Sequence, residues 1–164
     1  VQIDSIKSQG DIAKRTTLPI ANGERMHTIW EFRELLESGG SQYIRPDLGL
    51  GGGITHVKKI AAIGESYHSA LVTHNFLGPV VTAAACAVDT SIPNFLTQEY
   101  SKVDEAPVNA MFTSAWQRDG GFINVPDEVG IGVAVDYAAL ENSPYESRTL
   151  DVPIRVDGSV GYSV

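Results

Sequence analysis

Cysteine is all but missing from this chain. Its single thiol, Cys86, sits in the small-residue run "TAAACAV", so no intrachain disulfide can form and a buried thiol is the natural reading. Positive charge is also scarce: 12 Lys and Arg stand against 20 Asp and Glu, for a formal net charge of −8. A polyanion-binding surface wants a basic face, so this balance argues against nucleic acid and anionic membrane as partners. There is no apolar run long enough to span a bilayer and no signal-peptide pattern, which points to a soluble, cytoplasmic protein. An initiator Met is absent too. "VQIDSIKSQG" enters almost directly into a helical pattern, as if cut from something longer. What remains, 164 residues of which 43% are hydrophobic, suffices for one ordinary core.

Within it one pattern repeats. "LPIANGE" is a short apolar run that ends at Glu24, "QYIRPD" ends at Asp47, "SALVTH" at His74 and "NFLTQE" at Glu99. Each has the length of a buried strand and is followed by turn residues. The terminal polar residues are 23, 27 and 25 positions apart, a near-constant period that marks a supersecondary repeat. The intervening segments read as helices. In "HTIWEFRELLESGG", Thr28 and Glu31 make a capping box, Ile29, Phe32, Leu35 and Leu36 share a face, and Gly39 and Gly40 stop the helix. In "GGITHVKKIAAIGESYH" the shared face is Val57, Ile60, Ala61 and Gly64, and "GPVVTAAACAVDTSI" offers Pro79 at a first helical position. A weaker helix, "DSIKSQGDIAKRTT", precedes the first strand with Ile6, Ile12 and Ala13 inward and Gly10 as a blemish.

Strands alternating with helices imply right-handed crossovers and a parallel sheet. A polar residue at every strand's C-terminal end is the pattern of a (β/α)8 barrel, whose active site is built there. Eight such units take about 250 residues, and this chain holds four. The expected fold is therefore α/β, half of a TIM-type barrel over residues 1–110. Residues 111–164 then form an irregular segment that covers the barrel, with "GGFINVPDEVGIG" and "VPIRVDGSVGYSV" as extended or hairpin pieces.

"RPDLGLGGGITHVKKIAAIGESYHSALVTHNFLGP" followed by "IPNFLTQE" resembles the enolase superfamily, in its mandelate racemase and muconate-lactonizing branch. Within that branch the chain is most similar to acid-sugar dehydratases of the galactonate and gluconate type. The likeness runs from about residue 4 to residue 136, where "GGFINVPDEVGIGVAVD" departs from the family's "GLG" by carrying Ile131. It implies the C-terminal half of the barrel. It also implies roles: Glu24 in "IANGER" as the third carboxylate ligand of Mg2+, Asp47 in "IRPD" and His74 in "VTHN" as an Asp-His dyad, and Glu99 in "TQEY" facing the developing enolate. Glu99, if protonated, would donate a hydrogen bond to the substrate oxygen. In that superfamily, itself the standing example of this chemistry, a Lys or His base works beside magnesium that stabilises the enediolate.

Taken singly, each residue has an ordinary reading. Glu24 could be a solvated turn residue, Asp47 a cap on the Gly-rich turn, His74 a turn hydrogen-bonder, and Glu99 a loop cap. His27, His56 and His68 keep such readings, with His27 a conceivable substrate-loop contact, and "GLGGG" (49–53) reads as a tight strand-to-helix turn because it lacks the Lys-Ser/Thr of a phosphate loop.

The resemblance therefore implies a magnesium-dependent sugar-acid dehydratase, with racemase or cycloisomerase as the alternative and a non-catalytic half-barrel as a reading from another class. Two metal ligands, the second acid/base group and the N-terminal capping domain of that family are not found in this sequence. Its implied partners are an acid-sugar substrate, a missing N-terminal half and further copies of itself, because two parallel edge strands stand unpaired. Alone, the chain is expected to be inactive and to bind magnesium weakly.

Overall fold

The computed structural model describes residues 5–105, 109–145, 147 and 152–161. Asp4, the first residue of the expected leading helix, and the last three of "VPIRVDGSVGYSV" lie outside that set. The chain begins with α1 (Ile6–Ala13), then alternates β1 (Ala21–Asn22), α2 (Ile29–Glu37), β2 (Tyr43–Ile44), α3 (Gly53–Ser66), β3 (Ala70–Thr73), α4 (Pro79–Asp89) and β4 (Phe95–Gln98). The four strands pair in parallel in chain order, β1-β2-β3-β4. This is the α/β half-barrel expected from the repeat. Among the described residues no helix is long and apolar enough to cross a membrane.

Local sequence explains the helices. Thr28 Oγ1 accepts the Glu31 N–H at 3.3 Å while Glu31 Oε2 accepts the Thr28 N–H at 2.8 Å, closing the capping box that starts α2. Phe32, Leu35 and Leu36 of α2 and Val57, Ile60, Ala61 and Gly64 of α3 are buried, the faces their spacing marks. All of these but Gly64 form one core with Ile44, Leu71 and Val88 between sheet and helices. Cys86 is buried in α4.

Two expectations fail. In α1 Ile6 packs against the core as expected, but the buried residues are Gln9 and Gly10 and Ile12 is exposed. Gly10 is no blemish: a Cβ there would lie 2.7 Å from the Ser38 carbonyl oxygen, so the absent side chain is what lets α1 close on the end of α2. Gln9 is buried because its Oε1 accepts a hydrogen bond from Asn22 Nδ2 at the end of β1. The second concerns "NFLTQE", read as a buried strand. β4 is one of the sheet's two edge strands, and Phe95 and Leu96 are 41% and 50% exposed, lining a cavity with Trp116 and the hairpin at 117–124.

Beyond residue 110 the chain leaves the parallel sheet. β5 (Phe112–Ser114) pairs antiparallel with β8 (Val133–Val135) and both pack on α4; β6 (Gln117–Asp119) and β7 (Phe122–Asn124) make a hairpin; α5 (Tyr137–Glu141) follows, capped by Asp136. Trp116 Nε1 donates to the Ile131 carbonyl at 2.9 Å, holding the "GIG" turn against the hairpin.

Candidate active site

Strand register, more than any single side chain, assembles this site. Tyr43 lies opposite Ala70 and Ile44 opposite Leu71, and the same alignment carried past the strand ends brings Asp47 opposite His74 in a parallel bridge. His74 Nδ1 is 2.8 Å from Asp47 Oδ2. Asp47 is fully buried, and its Oδ1 accepts the Leu50 N–H at 2.9 Å, so the loop that starts α3 fixes the carboxylate. The two side chains are thus in hydrogen-bond reach, as their shared place in the repeat predicts. With Nδ1 anchored on a carboxylate, Nε2 is the nitrogen left to take up or release a proton.

Glu99 reaches the same mouth through an irregularity. Leu71 lies opposite Phe95, yet Val72 lies opposite Thr97 and Thr73 opposite Gln98, so Leu96 is an extra residue in β4. One added residue reverses which face the following side chains take. Gln98 consequently turns towards α4, and Glu99 turns inward, its Oε2 3.9 Å from His74 Nε2.

Glu24 follows β1. Gly23 before it has φ +123°, and a Cβ there would stand 2.4 Å from the Phe32 ring, so only glycine lets the chain turn over that ring. The carboxylates of Glu24 and Glu99 come from the two outer strands, and one residue joins them. Arg45 Nη1 donates to Glu24 Oε2 at 2.9 Å and Nη2 to Glu99 Oε2 at 2.8 Å. Glu99 Oε2 also accepts the Asn75 N–H at 3.0 Å. Partial burial by itself would raise the Glu99 carboxyl, but the Asn75 N–H and the Arg45 guanidinium outweigh it and hold the group below its ordinary value. In these contacts Glu99 accepts; the hydrogen bond it would donate to a substrate oxygen, if protonated or sharing a proton, is not among them.

Arg45 and Asn75 are the residues that sequence reasoning passed over. The signal was present for Arg45, which stands two positions before Asp47 in "IRPD" and so on the same face of an extended chain. The three remaining histidines stay outside the cluster's hydrogen bonds. His56 Nε2 accepts the Ile29 N–H at 3.3 Å at the start of α2, His27 is exposed, and His68 sits in a left-handed turn after α3.

Magnesium requires several hard oxygen ligands in octahedral array. Among the described residues no group of three or more His, Cys, Asp or Glu is placed to hold a metal. Where the resemblance puts the metal, the chain offers one oxygen donor, Glu24, which is paired with Arg45. It fits the ion in kind and not in number.

Arg45→Gln tests this electrostatic arrangement. Glu99 has a depressed folded-state pKa, so the pairing stabilises the fold above the ordinary carboxylate range and is lost as pH falls through the folded value. The variant should lose that acid-side dependence, and NMR titration of the Glu99 carboxyl carbon should show an upward shift. An unmoved midpoint would show that Arg45 does not set it.

The family profile described as enolase C-terminal domain-like matches residues 1–139. A D-galactonate dehydratase of Ralstonia pickettii is 36% identical over 98% of this chain and 44% of its own length. A D-mannonate dehydratase of a Sphingomonas species is 34% identical over 91% of this chain and 37% of its own. The crystal structure of an enolase from Agrobacterium radiobacter, with bound sodium and L-malate, superposes with a TM-score of 0.90 at 26% identity, over 99% of this chain and 45% of that one. The chain thus spans less than half the length of the curated relatives it matches.

Proposed function

Since the chain belongs to the enolase C-terminal domain-like family, we propose that the full-length protein is an acid-sugar dehydratase and that this chain supplies its Asp-His dyad. The observation that carries the reading is the buried 2.8 Å contact between His74 Nδ1 and Asp47 Oδ2 at adjoining strand ends. The names of the similar dehydratases support the reaction type.

Dehydration of a 2,3-dihydroxy acid breaks the C–H bond beside the carboxylate and the C–O bond on the next carbon, and the enol so formed, which keeps the 2-hydroxyl, becomes a ketone. His74 Nε2 takes the proton from the carbon beside the carboxylate and passes it to the departing hydroxyl, which leaves as water, while Asp47 steadies the imidazolium between the two transfers. Arg45 is a fixed cation beside the reacting carbons, available to a carboxylate substrate once Glu24 engages elsewhere. Bound magnesium would supply Lewis-acid charge for the substrate carboxylate, with Glu24 as this chain's ligand and the remaining ligands outside it. The exposed edge of β4 is where the rest of the barrel, or another copy, would join.

The test is incubation of the full-length protein with galactonate, mannonate and gluconate in deuterated water. Loss of water, with one solvent deuterium at the carbon that lost its hydroxyl, is the expected product. Exchange beside the carboxylate without loss of water would move the assignment to a racemase. No reaction and no exchange with any acid would overturn it.

A further inference from the structure

On the face of the sheet turned away from the mouth lies a buried acid that this reaction does not use. Asp89, the last residue of α4, is 5% exposed, and no salt bridge reaches it among the described residues. Its Oδ1 and Oδ2 are 3.2 and 3.0 Å from Thr73 Oγ1. Thr73 Oγ1 is in turn 2.7 Å from Gln98 Oε1. Gln98 Nε2 donates to the Glu99 carbonyl at 2.6 Å and faces the Thr73 carbonyl at 3.4 Å. Those two carbonyls fix the amide orientation, because a flipped Gln98 would set oxygen against oxygen at both.

Counting hydrogens then decides the state of Asp89. A threonine hydroxyl carries one hydrogen, and an amide oxygen can only accept. The Thr73 hydrogen is therefore spent on Gln98, and the contact between Thr73 and Asp89 needs a hydrogen from the carboxyl. Position agrees: a negative charge in the last helical turn opposes the helix dipole.

We propose that Asp89 is a protonated positioning residue, whose hydrogen completes the relay Asp89 to Thr73 to Gln98 that ties β3 to β4 one residue behind His74 and Glu99. Burial pushes this carboxyl up to about 7. Ionised Asp89 takes the Thr73 hydrogen for itself and leaves Gln98 Oε1 facing a hydroxyl oxygen with nothing between them. The tie then opens, and His74 and Glu99 lose their common reference.

The other titratable groups around it are few. Asp89 lines a cavity of about 590 Å3 with Cys86 of α4, Tyr100 and Lys102 after β4, and Arg118 of β6. Arg118 is engaged by Glu105 at 3.1 Å and lies over the Tyr100 ring. β3, β4, β5 and β8 bring no titratable side chain, and neither does the buried face of α3.

The positioning role rests on the dehydratase reading; the protonation does not, and the two are tested apart. Infrared pH titration of the full-length protein, parent minus Asp89→Asn, should show one carboxylic-acid band that disappears with a midpoint near 7. A band lost in the ordinary carboxylate range, or none, overturns the assignment. In turnover, the parent should retain roughly one-tenth of its maximal kcat one pH unit above that midpoint. Asp89→Asn, which keeps a donor towards Thr73 and cannot ionise, should hold its rate there with KM unchanged, and Asp89→Leu should lose rate at every pH. Superimposable profiles of parent and Asp89→Asn overturn the positioning role. Absence of turnover in all three proteins overturns the dehydratase reading, and the infrared titration still decides the proton.

Discussion

Replacement of His74 by alanine in the full-length protein should lower dehydration by roughly 10²–10⁴-fold, the usual worth of one acid-base group. The imidazole is held on two sides. Asp47 anchors Nδ1 at 2.8 Å, and Phe76 packs edge-on with ring centroids 5.1 Å apart, so Nε2 points to one place only. Removing the ring also strips the buried Asp47 carboxylate of a partner, a cost to folding that could be mistaken for lost catalysis. His74→Asn separates the two effects, since its amide can still donate to Asp47 but cannot carry a proton. Both variants should lose turnover, while thermal melting of the asparagine variant should stay near that of the parent. Undiminished turnover in either variant would remove His74 from the mechanism. Because Glu24 and not His74 is the proposed ligand, magnesium titration of the same variants should be nearly unchanged.

Phe32→Ala should produce the largest loss of stability, about 3–5 kcal/mol for a buried phenylalanine. The whole stability of an ordinary domain is only about 5–15 kcal/mol, so a large part of the molecules should unfold at room temperature in mild denaturant. Phe32 is fully buried in α2, and its ring is the surface over which Gly23 turns before Glu24. The variant should therefore loosen Glu24 as well as the core. Denaturant unfolding with the midpoint compared at constant slope measures the first effect. A midpoint shift worth under about 1 kcal/mol, below even the smallest phenylalanine truncations, would contradict the packing described.

Much of this molecule was legible from residue order because its signals act over a turn or so of chain. The capping box at Thr28 and Glu31, the apolar face Val57, Ile60, Ala61 and Gly64, and Pro79 at the head of α4 each involve neighbours within one or two helical turns. The strand-end positions of Glu24, Asp47, His74 and Glu99 followed from the same periodicity. Gly10 misled because its reason lies elsewhere. In an isolated helix a glycine is a defect, and only the approach of the Ser38 carbonyl makes it necessary. Ile12 misled by the same logic, since helical spacing marks a face without saying whether anything covers it.

The sequence by itself therefore determined the alternation of strand and helix, the inward faces of α2 and α3, and which four polar residues end the strands. Tertiary structure alone decided how those ends meet. Whether Glu99 or Gln98 faces His74 depends on one extra residue, Leu96, and that residue is extra only relative to β3. Arg45 becomes a bridge only because Glu24 and Glu99, from strands on opposite edges, converge on its guanidinium. Asp89 becomes a neutral acid only because Gln98 Oε1 takes the one hydrogen of the Thr73 hydroxyl. Register, ion pairing and protonation are properties of groups brought together from distant parts of the chain. Their energies depend on separation and burial in space, which spacing along the sequence does not specify.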